Sequence, residues 1–353
     1  MVRIAIVAIQ STALIGTFLC WASSAEMPAA AQTLAQEGRA RVPAAQTSAD
    51  SAQLRRNKDV ILRYFQTTDG GDFRTAAAAW ADTAQNYGEP LPRNAQAFFQ
   101  AGIEDIHRTF PDWHMEVLDL IAEGDSVVAL CRASGTHQGV GRLPLNGNLL
   151  VGVAPTGKRF EVAHIHWFKL RNGKIVDHYV ARDDVGMYKQ LGILPNAVVS
   201  DTSTRLTSIA TAIVRTTENG ETTELGRNKS VVRHFFESQN DRSFHISAPL
   251  ASGPDLQAAY EDLLRTFPDW RWTIVDAVAQ GDSVVALCRA SGTHRGVEQF
   301  PLNGGLMVGV EATGKHFEVW HMHWFKLRDG KIVDHYQTRD DIGMYRQLGL
   351  LPQ

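Results

Sequence analysis

The stretch FEVAHIHWFKLRNGKIVDHYVARDDVGMYKQLGILP, residues 160–195, decides the fold because it occurs twice. The second occurrence, FEVWHMHWFKLRDGKIVDHYQTRDDIGMYRQLGLLP, covers residues 317–352. Alternation in the first copy sets Phe160, Val162, His164, His166 and Phe168 on one face of a strand. Glu161, Ala163, Ile165, Trp167 and Lys169 fall on the other. Arg171-Asn172-Gly173 follows, and Asn-Gly supplies the positive φ that a tight turn needs. A second strand over 174–181 and a short helix over 185–192 complete the unit.

The duplication extends upstream. Asn57-Lys58-Asp59-Val60-Ile61 returns as Asn228-Lys229-Ser230-Val231-Val232, and Phe110-Pro111-Asp112 as Phe267-Pro268-Asp269. From His107 onward the copies align without gaps and most positions are identical. Between the first helix and that point the second copy is shorter, chiefly by the segment around Trp80 to Gly88. A repeat this long implies two similar domains, not a solenoid, whose repeats run to roughly 20–50 residues. In each copy a helix near Asn57, with Val60, Ile61, Tyr64 and Phe65 on one face, precedes a second helix over 95–109. The pair Phe110-Pro111 ends that helix. Strands over 113–121 and 126–136 flank the turn Glu123-Gly124-Asp125. Helices first and antiparallel strands after predict an α+β domain, its helices against one face of a curved sheet.

A formal net charge of -3 over 353 residues gives no electrostatic reason to expect nucleic acid or an anionic membrane as partner. Residues 1–25 read as an export leader: Arg3 is followed by a short apolar run and then by Ala22-Ser23-Ser24-Ala25. The expected location is periplasmic or secreted, with no membrane contact after cleavage. Residues 26–53 read as a flexible tail, with order beginning near Asn57 and domain one covering 54–195. A linker at 196–226, with a short amphipathic helix around Leu206 to Val214, leads to domain two at 227–353. Cys131 and Cys288 hold equivalent strand positions among small apolar neighbours and read as buried, inert thiols.

The ordered motifs Phe110-Pro111-Asp112, Gly124-Asp125, Gly135-Thr136-His137-x-Gly139, Pro155-Thr156-Gly157-Lys158, Gly173-Lys174-Ile175-x-x-His178 and Asp183-(x)6-Gln190-Leu191-Gly192 resemble the SnoaL-like polyketide cyclases, or ester cyclases. The resemblance covers most of both copies. It implies tandem cone-shaped α+β barrels of the kind shared with ketosteroid isomerase and nuclear transport factor 2. It also implies a small carbonyl-bearing ligand and no cofactor or metal. A fold of this kind hosts enzymes and plain binding modules alike.

By that resemblance Asp183 is the acid/base, a carboxylate whose pKa an apolar pocket would raise toward working pH. His178 could orient it or polarise a substrate oxygen, and equally could be a strand-end histidine bonded to backbone. His164 and His166 read as pocket-wall histidines. His-x-His can also chelate a metal, with a third ligand drawn from His137, His178 or Asp183. Asn86 and Tyr87 fall where the family has Asn-His-Gly, so a phenol replaces an imidazole and could donate to a substrate oxygen. Arg132 is a candidate partner for a carboxylate such as Asp183, and His137 a loop cap or substrate contact. One of Asp183 and Asp184, most naturally Asp184, could instead cap the following helix. The second copy retains Asp340, His335, His323, His321, Arg289 and His294. Trp167, Trp320 and Trp324 suit a sheet-to-sheet interface, so the copies are expected to pair as an internal pseudo-dimer.

Overall fold

The structure, a computed structural model, describes residues 48–91, 94–145, 149–194, 223–244, 256–300 and 305–351. The expected leader, most of the tail and most of the linker with its helix lie outside the described residues.

Helix α1, Ser48–Asp69, begins nine residues before Asn57, and Leu54 extends its apolar face by two turns. Ile61 and Phe65 are buried, with Val60 and Tyr64 packed beside them. A short helix α2 (Phe73–Ala78) leads to a two-residue hairpin, β1 (Gln85–Asn86) and β2 (Glu89–Pro90). Helix α3 spans Ala95–Thr109, and Asn94 caps it by accepting from Ala97 N–H.

A four-stranded antiparallel meander follows, ordered β3 (His114–Glu123), β4 (Ser126–Thr136), β5 (Arg159–Arg171), β6 (Lys174–Arg182). Asn172 and Gly173, at φ 51° and 72°, form the two-residue turn between β5 and β6. Helix α4, Asp184–Gln190, closes the copy. Copy two repeats this order: α5 (Glu224–Asn240), α6 (Leu256–Thr266), β7 (Arg271–Gln280), β8 (Ser283–Thr293), β9 (His316–Arg328), β10 (Lys331–Arg339) and α7 (Asp341–Leu348).

The expected barrels are not closed. Four strands cannot curl back to meet, since a closed barrel takes about eight. Instead, helices cover the face that bears Phe160, Val162 and Phe168. The outer edge of β6 is covered by residues 79–88: Trp80 bridges Ile175, and Tyr87 N–H donates to His178 C=O at 2.9 Å.

Several motif residues are structural. Asp112 accepts from Thr136 N–H at 2.6 Å and from its hydroxyl at 2.8 Å, tying the end of α3 to β4. A Cβ on Gly139 would stand 1.8 Å from the Arg108 carbonyl oxygen, so only glycine permits that approach of loop to helix. Cys131 and Cys288 are buried free thiols, and burial pushes both up.

The opposite faces of the two sheets meet. Ile121, Val128, Leu130, Ile165 and Trp167 form one apolar cluster with Val278, Val285, Leu287, Met322 and Trp324. At its rim Ala122 N–H donates to Gln280 Oε1 at 2.9 Å, and Ala279 N–H to Glu123 Oε2 at 2.8 Å. Lys169 pairs with Asp276 at 3.3 Å and Lys326 with Asp119 at 3.0 Å. Trp167 and Trp324 therefore pack where their strand faces place them, and Trp320 lies partly buried at the margin.

Candidate functional site

The polar groups of copy one gather on the helix-covered face of β5 and β6. Register sets Phe168 opposite His178, His166 opposite Val180 and His164 opposite Arg182, so all three histidines share a face with Arg182. His166 Nδ1 and His178 Nε2 lie 3.0 Å apart, a hydrogen bond between imidazoles. His164 and His166 have ring centroids 5.5 Å apart.

Aromatic rings wall this group. Phe168 stacks on His178 at 4.7 Å, and Trp80 meets its edge at 5.6 Å. Phe65 lies 5.4 Å from His166, and Trp113 6.2 Å from His164. Trp80 itself stacks on Phe99 at 3.4 Å.

Burial holds His178 down at about 3, with Arg182 adding to the effect. Burial likewise holds His164 and His166 well below the usual histidine range, helped by Arg182 and, for His166, by its two neighbouring imidazoles. The three rings are neutral at ordinary pH. His164 Nδ1, His166 Nε2 and His178 Nδ1 are buried without a hydrogen-bond partner among the described residues.

The His166–His178 bond has a chemical consequence. A neutral imidazole carries one proton, and one ring must donate to the other. If His166 Nδ1–H donates, His178 presents Nδ1–H and His166 presents a bare Nε2. If His178 Nε2–H donates, the assignment reverses. In both tautomers the pair offers one donor and one acceptor, and taking a proton at one end releases one at the other without building charge.

Beside the histidines stands an ion pair that sequence reasoning missed. Arg182 Nε donates to both oxygens of Asp184 at 3.2 and 3.3 Å, and Nη2 to Oδ2 at 3.2 Å. The signal was available: Arg182 falls four residues after His178, on the same strand face.

Other expectations are corrected. Asp183, proposed as the acid/base, is the N-cap of α4 and accepts from Gly186 N–H at 2.8 Å. Burial raises its pKa, opposed by Gly186 N–H and by Arg339 of copy two. The cap is thus Asp183 and the pairing carboxylate Asp184, the reverse of the sequence assignment. The reason is local: helical geometry starts at Asp184, leaving the preceding side chain to reach the free amides.

Tyr87 does not face the histidines. Its hydroxyl donates to Val180 C=O at 2.5 Å, and its ring stacks over Trp320 of copy two at 6.0 Å. Burial pushes the phenol up to about 12. Asn86 is half-buried and paired with Glu89 in the small hairpin.

Arg132 pairs with Glu116 at 2.6 Å and Glu161 at 3.4 Å instead of Asp183, because its strand position points to the other face of the sheet. Arg289 pairs with Glu318 and lies 4.4 Å over the Trp320 ring. His137 and His294 are loop caps, whose Nδ1 atoms accept from Thr156 and Thr313 N–H at 3.2 Å. In copy two, His323 Nδ1 and His335 Nε2 lie 2.9 Å apart, beside His321. Arg339 pairs with Asp341 at 3.1 Å, and Asp340 caps α7 through Gly343 N–H.

Among the described residues no set of three or more His, Cys, Asp or Glu side chains is arranged to hold a metal ion, so His164 and His166 gain no third ligand. A cleft of about 660 Å³ bordered by Gln53, Asn57, Gly124 and Asn172 lies at the turns joining the strands and shares no residue with the histidine group.

Known proteins place the chain. It matches the family model for SnoaL-like polyketide cyclase over residues 58–191 and 242–348. It is 47% identical over 45 residues to aklanonic acid methyl ester cyclase DnrD of Streptomyces peucetius, covering 13% of this chain and 31% of that protein. The same figures hold for the DauD cyclase of Streptomyces sp. (strain C5), with 28% of it covered. The chain thus spans about a third of the length of the curated relatives it matches. Among solved structures, TsrD of Streptomyces laurentii is 23% identical with a TM-score of 0.34, covering 42% of this chain and 99% of TsrD. A SnoaL-like polyketide cyclase of Agrobacterium tumefaciens is 18% identical with a TM-score of 0.32, covering 38% of this chain and 98% of its own. With more than half its length matched, in two segments, the chain belongs to the SnoaL-like polyketide cyclase family.

Proposed function

We propose that the first copy binds a small, largely apolar, carbonyl-bearing molecule against His164, His166 and His178, and that the His166–His178 pair moves a proton on it. The chain would act without a cofactor, as two domains (54–195 and 227–353) of a protein exported by the leader at 1–25. The observation that carries this reading is the imidazole–imidazole bond at 3.0 Å with an unpartnered nitrogen at each end. A nitrogen at one end accepts the proton beside a carbonyl while the pair releases a proton to solvent at its far end, so the imidazoles gain no charge as the enolate forms. His164 Nδ1 offers a further hydrogen bond. Arg182 and Asp184 keep each other paired and fix a positive potential that disfavours imidazolium.

The named curated relatives are cyclases of a methyl ester, which suits a carbonyl substrate class. A second reading, a binding module without chemistry, is favoured by the bond from Gly186 N–H to Asp183, which occupies one oxygen of the carboxylate expected to act.

The test is α-proton exchange of acetophenone in D2O, followed by NMR. Wild type should accelerate exchange, His178→Phe should lower the rate roughly 10²-fold or more, and Asp183→Asn should stay within a few-fold of wild type. Binding without exchange would establish the second reading. Loss of exchange in Asp183→Asn with retention in His178→Phe would overturn the relay.

A further inference from the structure

We propose that Trp320 of copy two is a positioning residue for the His166–His178 pair of copy one, acting through Tyr87 and Tyr179. This rests on reading that pair as the group that moves a proton.

His178 stands on an edge strand. β6 is outermost in its sheet, so no further strand fixes its outer backbone groups. Tyr87 and Gly88 do so instead. Tyr87 N–H donates to His178 C=O at 2.9 Å, its hydroxyl to Val180 C=O at 2.5 Å, and Gly88 N–H to Asp177 Oδ1 at 3.1 Å. The same Asp177 oxygen accepts from His178 N–H at 2.8 Å. Val180 is the register partner of His166. The two carbonyls that Tyr87 grips thus belong to one member of the imidazole pair and to the residue facing the other.

Tyr87 grips them from an unfavourable backbone. Its φ of 57° is left-handed, which a non-glycine residue keeps only where its surroundings enforce it. Those surroundings include copy two. The Tyr87 ring lies 5.7 Å from that of Tyr179, and Trp320 closes on both, 6.0 Å from Tyr87 and 5.2 Å from Tyr179. Tyr179 is the buried residue between His178 and Val180, on the sheet face opposite the histidines. Arg289 stacks on the Trp320 ring at 4.4 Å and holds it in turn. Trp320 therefore backs both the hairpin tip and the strand that it grips.

The support runs one way. Copy two has no tyrosine between Asn240 and Leu256, and Ala163 stands in copy one where copy two has Trp320. The His323–His335 bond forms at 2.9 Å with neither, so Trp320 supplies restraint on β6 and not the bond itself. Restraint matters to rate: a displacement of about 1 Å breaks a contact of this kind and can cost about 10²-fold.

The experiment uses the full chain, ¹⁵N-labelled at histidine, and reads the ¹⁵N–¹⁵N coupling across each imidazole bond beside acetophenone exchange. Trp320→Ala should weaken the His166–His178 coupling and lower kcat roughly tenfold with KM little changed. Trp320→Phe, which keeps a ring against both tyrosines, should recover most of each. Tyr87→Phe, which frees only the Val180 carbonyl, should move both readings in the same direction as Trp320→Ala. An unchanged His323–His335 coupling shows that a variant is folded, and Tyr87→Phe carries the test if Trp320→Ala does not fold. A copy-one coupling unaltered in the folded variants, or an equal loss in both copies, would overturn the positioning role. Wild type without exchange would remove the catalytic reading alone, and the coupling would still decide whether Trp320 holds the pair.

Discussion

The buried neutral imidazoles make the protein acid-labile, by an amount that follows from their environments. His178 and His335 are each held at about 3, chiefly by burial, whereas an unfolded histidine titrates near 6.5. A folded pKa below the unfolded one means the unfolded chain binds the proton more readily, so stability falls as pH drops from 6.5 toward 3. At pH 5 each ring costs about 2 kcal/mol relative to pH 7.5, hence about 4 kcal/mol for the two. His164, His166, His321 and His323 act in the same direction. Asp341 opposes them: burial pushes it up to about 6, so protonation in the folded state offsets roughly 1 kcal/mol at pH 5. A net loss of about 3 kcal/mol or more is a large part of an ordinary stability of about 5–15 kcal/mol.

Urea unfolding at pH 7.5, 6.5, 5.5 and 5.0 measures this directly. With a slope of about 3 kcal/mol per molar, the midpoint should fall by roughly 1 M or more across the range. The double variant His178→Phe/His335→Phe should lose about 4 kcal/mol less over the same interval. A midpoint independent of pH from 7.5 to 5.0, or an equal fall in the double variant, would refute the claim that these rings are buried neutral.

Three further outcomes are expected. Glu123→Gln keeps an oxygen for Ala279 N–H but takes the charge from Lys229, now 2.6 Å away, and should cost no more than about 1 kcal/mol in thermal or urea unfolding. Gln280→Glu, the mirror change, should stabilise by a similar amount, because Lys58, the twin of Lys229, has its pKa lowered by burial, with Asp119 opposing. Gly139→Ala should destabilise by several kcal/mol or abolish soluble expression, since its methyl would overlap the Arg108 carbonyl.

Much of the fold was legible because it is written in short-range signals. Alternation along residues 160–170 sorted the two faces of β5 correctly, and Asn172-Gly173 located the hairpin. Phe110-Pro111 ended α3 where expected. The site was legible only in part. Face and spacing brought His164, His166 and His178 together, but which of two adjacent aspartates caps a helix depends on where helical geometry begins. Asp183 and Asp184 were therefore exchanged. Tyr87 and Arg132 were misplaced for a different reason. Tyr87 lies on a segment that folds over the sheet edge toward the other copy, and Arg132 belongs to the face opposite the histidines. Nothing in either residue's neighbourhood along the chain specifies the partner surface.

That partner surface has become one-sided, and this can be measured. Trp320 of copy two corresponds to Ala163 of copy one, while Tyr87 of copy one has no counterpart in copy two. The retained tyrosine thus stacks on the copy that bears tryptophan, and where the segment was lost the facing position is alanine. Glu123 and Lys229 form a second one-sided contact, since the mirror pair is Gln280 and Lys58. Two independent asymmetries that each place both halves of a contact across one junction indicate copies adapted to each other, not to themselves. Joining the copies in one chain holds them at high effective concentration, so contacts on one side of the junction suffice. A double-mutant cycle of Tyr87→Ala and Trp320→Ala tests this. The coupling should be about 0.5–1.5 kcal/mol, the range for one aromatic pair, since Trp320 keeps Tyr179 at 5.2 Å and Arg289 at 4.4 Å when Tyr87 is removed. Additive effects within about 0.3 kcal/mol would mean the rings stabilise their own copies separately, and the adaptation argument would then rest on Glu123 and Lys229 alone.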